Sequence, residues 1–252
     1  MKIVSWNVNG LRSAESYFLK FVRSESPEII LLQEIKARPE QLSPRLRNLQ
    51  DYHVFFNSAG RKGYAGTAVY TKEKPQKVED KIGLEKFDGE GRFLKVRFSN
   101  FILLNVYMPH GGRKKENMSY KLAAYSHLVR TLRSARNQDK IILAGDFNIA
   151  HKEIDLARPE QNQKNTMFTP EERSKMDDLV NLGFEDSFRL FNLEGGHYSW
   201  FPYGFGARER NLGWRIDYSF VSKNLKSKVR NSSILKEFGG SDHCPVLVEI
   251  EI

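Results

Sequence analysis

Six short apolar runs, spread over the whole chain, each end at a cluster of polar residues able to bind a metal ion or a phosphate. Buried strands of a β-sheet produce such runs, and the loops at one edge of a sheet collect catalytic groups. The clusters that end the runs are Asn7-Val8-Asn9-Gly10, Gln33-Glu34, Tyr107, Gly145-Asp146-Phe147-Asn148, Asp217 and Asp242-His243. The pattern predicts an acidic, amide-rich pocket built from strand ends that lie far apart in sequence.

The composition indicates an ordinary soluble chain. Of the 252 residues, 40% are hydrophobic and 28% are charged, and no apolar run approaches the ~18 residues of a membrane span. The first strand pattern begins at Lys2, which leaves no room for a signal peptide.

Cys244 is the only cysteine, so a reducing interior is the simplest setting. The residues that flank Cys244 favour a buried strand start over a nucleophile. We expect a cytoplasmic protein, associated with the nucleoid if prokaryotic, and no membrane partner.

The net charge of +9 and the pI near 9.5 bear on the choice of partner. A basic surface around an acidic pocket is expected of a metal-dependent enzyme that acts on a polyanion. Many basic proteins never meet nucleic acid, however, and the charge would then serve only solubility. Charge therefore favours a nucleic-acid partner without establishing one.

The first half of the chain uses one structural plan twice. Strands are predicted at 2–7 and 28–33 around a helix at 13–25, and at 101–107 and 140–145 around a helix at 115–136. Further strands are predicted at 53–57, 66–71, 93–98, 215–222 and 245–252. Thr169-Pro170-Glu171-Glu172 opens a helix that Gly183 closes. Without a linker or a break in composition, we expect one domain over residues 1–252, a layered α/β sandwich of two packed sheets with helices outside.

Glu34 ends a strongly apolar run. A carboxylate in such a position is costly unless a cation or a donor satisfies it. Mg²⁺ takes oxygen ligands and is often held by one or two carboxylates together with substrate phosphate, which suits Glu34 assisted by Asn7. The alternative is an acid that caps a helix or pairs with Lys36.

Asp146 and Asn148 flank Phe147 in Gly-Asp-Phe-Asn. In an extended segment residues two apart face the same side, so the acid and the amide would together orient and deprotonate a water molecule. A Gly-Asp-x-Asn sequence is also a common local hydrogen-bonded turn, and the sequence leaves this alternative open.

Asp242-His243 places an imidazole beside an acid, and Asp217 is a plausible orienting partner for His243 through space. A serine hydrolase would need a Gly-x-Ser-x-Gly elbow, which the sequence lacks. Metal-assisted attack by water accounts better for the additional acids and amides. The alternative for His243 is a structural histidine whose hydrogen bonds are satisfied.

Basic and aromatic residues alternate in three loops. They are Arg61-Lys62-Gly63-Tyr64, Arg113-Lys114-Lys115 and the stretch from Tyr203 to Arg215. Such loops suit phosphate contacts combined with stacking against bases. Ordinary solvated loop charge is the alternative for most of these residues.

Taken together, these segments resemble the exonuclease III-like AP endonucleases of the endonuclease/exonuclease/phosphatase superfamily. The resemblance covers essentially the whole chain. Gly-Asp-x-Asn and Ser-Asp-His are shared across the superfamily, whereas Leu-Gln-Glu-x-Lys and Gly-Trp-Arg-x-Asp-Tyr are specific to its DNA-repair branch. The matching segments are 5–12, 32–36, 107–109, 145–151, 213–218 and 240–245.

The resemblance implies a four-layered α/β sandwich, with two packed mixed β-sheets flanked by helices. It implies a Mg²⁺-dependent nuclease, with Mn²⁺ as a substitute ion, that acts as a monomer on double-stranded DNA with abasic or damaged sites. The expected cut lies 5′ to the abasic site and leaves a 3′-hydroxyl and a 5′-deoxyribose phosphate. Expected side activities are 3′→5′ exonuclease, 3′-end cleaning and incision at altered bases such as uracil, and the sequence does not rank them.

Carried onto this chain, the resemblance gives each candidate residue a role. Glu34 is the main metal ligand, with Asn7 and Asp242 beside it, and Asp242 alternatively assists the leaving group. Asp146, helped by Asn148, activates the attacking water, although the pair Asp217–His243 remains the other candidate base. Tyr107 and His243 contact the scissile phosphate. The residues expected to bind substrate are Asn9, Arg92, His110, Arg113, Trp200, Arg208, Trp214 and Ile216, of which Trp200, Trp214 and Ile216 form the apolar pocket for the flipped sugar.

The chain departs from the family pattern at two places. His110 stands where many relatives carry Asn or Gln, and Gly204-Phe205-Gly206 is unusual in a loop expected to probe the DNA groove. Two other functions stay open at this point: a phosphatase of the same superfamily acting on phosphoinositides or phospholipids, and a silent DNA-binding module that kept only the fold.

Overall fold

Two six-stranded β-sheets pack face to face in the computed structural model, which describes residues 1–133 and 139–252. From edge to edge, the first sheet consists of β11 (Val229–Ile234), β12 (Val246–Ile250), β1 (Lys2–Asn7), β2 (Ile29–Gln33), β4 (Thr67–Thr71) and β3 (His53–Asn57). The second sheet consists of β5 (Lys77–Glu79), β6 (Phe93–Arg97), β7 (Ile102–Tyr107), β8 (Ile141–Asp146), β10 (Asp217–Ser222) and β9 (Phe184–Asp186).

Helices cover the outer face of each sheet. The helices are α1 (Glu15–Glu25), α2 (Pro44–Arg47), α3 (Glu85–Gly89), α4 (Met118–Arg133), α5 (Pro159–Asn162) and α6 (Pro170–Asn181), of which α5 buries no side chain. Phe18 and Phe21 of α1 and Leu46 of α2 pack in one core with the first sheet. Residues of α3, α4 and α6 pack in another core with the second sheet. The order helix, sheet, sheet, helix confirms the predicted four-layered α/β sandwich. Among the described residues, no helix is long and apolar enough to span a membrane.

The plan predicted twice in the first half is present in both sheets. β1 and β2 are parallel neighbours joined through α1, and β7 and β8 are parallel neighbours joined through α4. The remaining strand pairs are antiparallel, so both sheets are mixed. The helix predicted at 115–136 is observed over Met118–Arg133, and residues 134–136 lie outside the described residues.

Local sequence signals located some elements better than others. Thr169 and Glu172 form the predicted capping box at the start of α6, where the Thr169 side chain accepts from the Glu172 backbone N–H. The strands β5, β9 and β11 were not predicted. β5 and β9 have only three residues each, which is too short to display an alternating pattern.

The space between the sheets changes from apolar to polar along the strands. At one end it is filled by buried side chains of a shared core, among them Ile3, Ile29, Leu103, Ile142 and Val221. At the carboxyl ends of the parallel strands, Asn7 lies beside Gln33 in the first sheet. Tyr107, Asp146 and Asp217 lie side by side in the second. Both parallel pairs thus deliver polar side chains to the same end of the sandwich.

A buried amide network crosses between the sheets just below this polar end. Gln33 donates from Nε2 to Asn105 Oδ1 at 2.8 Å and to Ser5 Oγ at 3.0 Å. Asn105 donates from Nδ2 to the carbonyl oxygens of Leu32 and Ala68, at 3.1 and 2.9 Å. Because strands of both sheets share these hydrogen bonds, the relative position of the two sheets is specified where the polar residues emerge.

Candidate active site

A cavity of about 280 Å³ opens at the polar end of the sandwich. Its lining residues come from strand ends and loops spread over the chain. They are Asn9, Glu34, Tyr107, His110, Asp146, Asn148, Met167, Trp200, Ile216, Asp242 and His243. The structure therefore brings Glu34, Asp146 and His243 into one cavity, as the pattern of strand ends predicted.

Asp146 and Asn148 meet through a tight turn. β8 ends at Asp146, and Asn148 has a left-handed backbone with φ of +50°, which Asn tolerates better than most residues. The Asn148 backbone N–H donates to Asp146 Oδ1 at 2.8 Å, and its side-chain Nδ2 donates to Asp146 Oδ2 at 3.2 Å. The expected extended geometry is wrong here, since the turn itself brings the acid and the amide together.

The Asp146 carboxylate is buried and held by donors on two sides. Asn7 donates from Nδ2 to Asp146 Oδ2 at 2.9 Å, and the Asn148 backbone N–H donates to Oδ1 at 2.8 Å. Burial, together with the nearby Asp217 carboxylate, raises the pKa of Asp146 to about 7. A carboxylate with this pKa can both accept and release a proton near neutral pH. Asn7 itself lies behind Asp146 instead of lining the cavity.

His243 is paired with Asp217, as predicted. Its Nδ1 lies 2.9 Å from Asp217 Oδ2 and 3.1 Å from Oδ1. Burial alone would lower the pKa of the imidazole, but the charge and hydrogen bonding of Asp217 raise it to about 10. His243 is therefore an imidazolium at neutral pH, and with Nδ1 bonded to Asp217 its remaining ring donor is Nε2.

Ser199 is a site residue that the sequence analysis missed. Its hydroxyl donates to Asp217 Oδ2 at 2.7 Å and accepts from the backbone N–H groups of Ile216 and Asp217, both at 3.0 Å. Ser199 thereby orients the carboxylate that orients His243. A single serine between Tyr198 and Trp200 carries no sequence signal for this role, which depends on the pairing of distant segments.

Asp242 is fixed at the cavity by donors to both of its carboxylate oxygens. Asn9 donates from Nδ2 to Asp242 Oδ1 at 2.9 Å, and Trp200 donates from Nε1 to Oδ2 at 3.0 Å. Burial alone would raise the pKa of Asp242, but the His243 charge and these hydrogen bonds hold it below its ordinary value. Asp242 is therefore a preoriented, ionised carboxylate.

Glu34 forms the ion pair that the sequence left open as an alternative. Its carboxylate lies 3.0 Å from Lys36 Nζ, which also donates to Asn9 Oδ1 at 2.5 Å. The backbone of Glu34 is left-handed, with φ of +56°. Glu34 still lines the cavity, so pairing with Lys36 and facing the cavity occur together.

The carboxylates gathered at the cavity form a donor set suited to a metal ion. Ligand atoms of Asp146, Asp217 and His243 all lie within 4.8 Å of one another, and Glu34 and Asp242 share the same cavity. Hard divalent cations prefer such oxygen-rich surroundings. The residues present therefore fit a divalent metal.

Three arginines predicted to bind substrate are absent from the cavity lining. Arg92 is buried behind Tyr107, where its guanidinium lies 4.4 Å from the centre of the Tyr107 ring and donates to the Tyr107 carbonyl at 3.1 Å. Arg208 donates to the carbonyls of Ser241 and His243 at 3.1 and 3.4 Å. These two arginines support the segments that carry the site. Arg113 is exposed outside the lining.

One wall of the cavity is apolar. Trp200, Ile216 and Met167 line it, and Trp214 packs behind, with its ring 6.5 Å from that of Trp200. The predicted trio Trp200, Trp214 and Ile216 is thus assembled in one apolar cluster. Met167, which was not predicted, completes the wall.

An exposed loop stands at the cavity rim. The Tyr203 hydroxyl accepts from Asn9 Nδ2 at 3.2 Å, which joins this loop to a lining residue. Phe205, in the unusual Gly204-Phe205-Gly206 sequence, is 93% exposed. Aromatic and basic side chains of residues 203–210 are therefore available beside the opening.

Known proteins resemble this chain over nearly its whole length. Residues 4–243 match the model of the Endonuclease/Exonuclease/phosphatase family. The chain is 42% identical to an exodeoxyribonuclease of Bacillus subtilis over the full length of both proteins. It is 37% identical to a DNA-(apurinic or apyrimidinic site) endonuclease of Dictyostelium discoideum, over all of this chain and 71% of the relative. A Neisseria 3′ phosphatase, solved with a product DNA hairpin, superposes over both full chains with a TM-score of 0.93 and 28% identity.

Proposed function

The chain belongs to the endonuclease/exonuclease/phosphatase family, and from this premise we propose that it is a Mg²⁺-dependent DNA-repair nuclease. Its substrate is duplex DNA with an abasic site, which it cuts 5′ to the lesion as a monomer. One observation carries the proposal. A single cavity holds Asp146 with a pKa raised to about 7, the imidazolium of His243, and an apolar wall.

Asp146 is the group that accepts a proton from the attacking water. Its pKa of about 7 leaves it ionised above neutral pH, and the amides of Asn7 and Asn148 fix its orientation. A general base placed in this way contributes about 10²–10⁴-fold to a rate. His243 is already protonated, so it serves poorly as the base, and this favours Asp146 over the Asp217–His243 pair.

His243 and Tyr107 hold the scissile phosphate. The imidazolium of His243 offers Nε2–H to a phosphate oxygen. Burial and the Glu34 charge keep the pKa of the Tyr107 phenol well above its ordinary value, so its hydroxyl remains a donor. Preoriented donors stabilise the negative charge that develops on the phosphate in the transition state.

Glu34 and Asp242, which line the cavity, would hold the metal, whereas Asn7 lies behind them and donates to Asp146. When bound, Mg²⁺ supplies positive charge that neutralises the phosphate and the leaving oxygen. Asp242 is kept ionised by its surroundings, and Glu34 lines the cavity while it is paired with Lys36 at 3.0 Å, so both carboxylates would present oxygens to a cation.

The apolar wall of Trp200, Ile216 and Met167 suits a deoxyribose without a base. An abasic nucleotide is extruded at little cost, because no base pair must first be broken. The wall also excludes water from the sugar side of the cleavage site. The exonuclease, 3′-end-cleaning and uracil-incision activities are secondary uses of the same cavity.

The test uses duplex oligonucleotides that carry an abasic analogue, a uracil, a 3′-phosphate or a recessed 3′ end, each with Mg²⁺ or EDTA. We expect incision 5′ to the analogue only with Mg²⁺, and Glu34→Gln should raise the Mg²⁺ concentration needed for half-maximal rate about tenfold or more. Glu40→Gln, an exposed acid nearby in sequence, is the matched control. Failure to incise, or faster hydrolysis of a soluble inositol phosphate assayed in parallel, would overturn the proposal.

A further inference from the structure

A wholly buried ion pair lies directly behind the cavity and has no part in the mechanism above. Lys121 of α4 and Glu172 of α6 both have side chains with 0% exposure, and Lys121 Nζ lies 2.6 Å from Glu172 Oε1. Neither residue lines the cavity. Charged side chains are seldom buried so completely without a specific partner or role.

The Lys121 ammonium links three separate segments. Besides Glu172, it donates to the carbonyl oxygen of Asn148 at 2.6 Å and to that of His110 at 3.2 Å. An ammonium group has three N–H donors, so each donor is used by a different segment. Two of these segments, the turn after β8 and the loop after β7, carry the cavity-lining side chains of Asn148 and His110.

Glu172 extends the linkage to a third part of the cavity wall. Its Oε1 also accepts from the backbone N–H of Met167 at 2.9 Å, and its Oε2 accepts from that of Thr169 at 3.0 Å. Met167 belongs to the apolar wall. Through backbone atoms, the ion pair therefore connects three segments that line one cavity: those that carry Asn148, His110 and Met167.

The loop after β7 packs against the methylene chain of Lys121. Gly111 has φ of +92°, and a Cβ there would lie 3.2 Å from Lys121 Cδ and 3.1 Å from Thr166 Cγ2. Thr166 in turn donates its hydroxyl proton to the Gly112 carbonyl at 2.7 Å. The loop therefore leaves no room for a side chain between Lys121 and Thr166, and the His110 carbonyl accepts directly from the Lys121 ammonium.

Stability alone does not account for this arrangement. Removing two charges from water is costly, and a well-packed apolar pair of similar volume is often as stable or more stable. Every hydrogen bond of the Lys121 ammonium other than the ion pair ends on the backbone of a cavity-forming segment. An apolar pair would fill the same space but would leave those carbonyl oxygens unbound.

We propose that Lys121, held by Glu172, is a positioning residue for the hydrolysis: it sets the placement of Asn148, and through it Asp146, relative to the His110 loop. The inference rests on the proposed function and adds a residue that touches neither substrate nor metal. Small misplacements of reacting groups can lower rates by about 10²-fold.

The test compares four variants in steady-state incision of an abasic duplex. In Lys121→Met an unpaired Glu172 is left buried, whereas the double variant Lys121→Met/Glu172→Gln removes both charges and keeps an oxygen to accept from Met167. Glu172→Gln alone leaves Lys121 its two carbonyl partners, and Arg130→Met removes an exposed charge from the same helix.

We expect the double variant to unfold within a few degrees of the wild type, with kcat reduced about 10²-fold and KM changed less than about threefold. Glu172→Gln should lose less activity than either Lys121 variant, and Arg130→Met should behave as the wild type.

Hydrogen exchange of backbone amides supplies a readout that does not depend on activity. In the double variant, peptides covering residues 108–112 and 146–150 should exchange faster than in the wild type, and peptides of β11 and β12 should be unchanged. An inactive wild type would refute the proposed function, and the exchange data would still decide whether Lys121 positions the loops. An active wild type with a double variant of normal kcat and normal exchange would overturn the inference and leave the function standing.

Discussion

The two ends of the space between the sheets are built from the same strands but contribute oppositely to the free energy of folding. At one end, Ile3, Leu103, Ile142 and their neighbours are buried against one another, and each fully buried aliphatic side chain contributes about 1.5–3 kcal/mol to folding. At the other end, the same strands bury carboxylates and amides, which cost free energy unless every group finds a partner. Folding is stabilised at one end, and chemistry is made possible at the other.

Asp146 at the polar end lowers the stability of the fold in its ionised form, which is also its reactive form. Burial raises its pKa to about 7, which means that the folded protein disfavours the ionised form. The apolar end has no group of this kind among the described core residues. Proteins commonly accept such local destabilisation at functional sites and offset it elsewhere in the core.

The largest expected effect is that of Asp146→Asn at the polar end. Loss of the base should lower kcat about 10²–10⁴-fold. The unfolding free energy should not decrease, because loss of a disfavoured charge more than offsets a weakened hydrogen bond. Incision kinetics and urea unfolding at pH 8 measure the two quantities. A large loss of stability with normal kcat would reverse the assignment of roles to the two ends.

Leu103→Ala at the apolar end should have the complementary result. Deleting a buried leucine side chain costs about 2–5 kcal/mol of unfolding free energy, and Leu103 is wholly buried between the sheets. We expect kcat per folded molecule to stay within about twofold of the wild type, since no cavity residue moves. Urea unfolding gives the first value, and active-site titration before the incision assay gives the second. A parallel fall in kcat would show that the two ends are coupled.

The smallest expected effect is a pH dependence of stability that originates at the polar end. Asp217 raises the pKa of His243 from 6.5 to about 10, so the folded state binds this proton more tightly than the unfolded state. The stabilisation is complete below pH 6.5 and is lost as the pH rises through about 10. Between pH 7.5 and 9.5, the wild type should lose about 2.5 kcal/mol more unfolding free energy than His243→Gln.

Urea unfolding in EDTA over this pH range checks the sign. In the wild type this range lies above the pKa of about 7 for Asp146, so the titration of that carboxylate contributes little there. Equal losses in the wild type and in His243→Gln would show that the folded protein does not hold His243 as an imidazolium.

Strand ends and helix caps were predictable because their signals are local. Apolar runs marked β1, β2, β7 and β8, and the Thr169–Glu172 capping box marked the start of α6. The turn at Asn148 was predicted only as an alternative, because the same Gly-Asp-Phe-Asn sequence is compatible with an extended strand and with a left-handed turn. Three-residue strands such as β5 offered no periodicity at all.

The chemical identity of the site was determined by the sequence: each parallel strand ends in an acid, an amide or a phenol, and parallel strands deliver their carboxyl ends to one edge. Only the tertiary structure decided the partners. It placed Ser199 against Asp217, Lys121 beneath Asn148 and Arg92 behind Tyr107. It also set the protonation states of Asp146 and His243, because a pKa depends on desolvation and on charges brought close by folding. These are properties of distance and burial, which no local stretch of residues encodes.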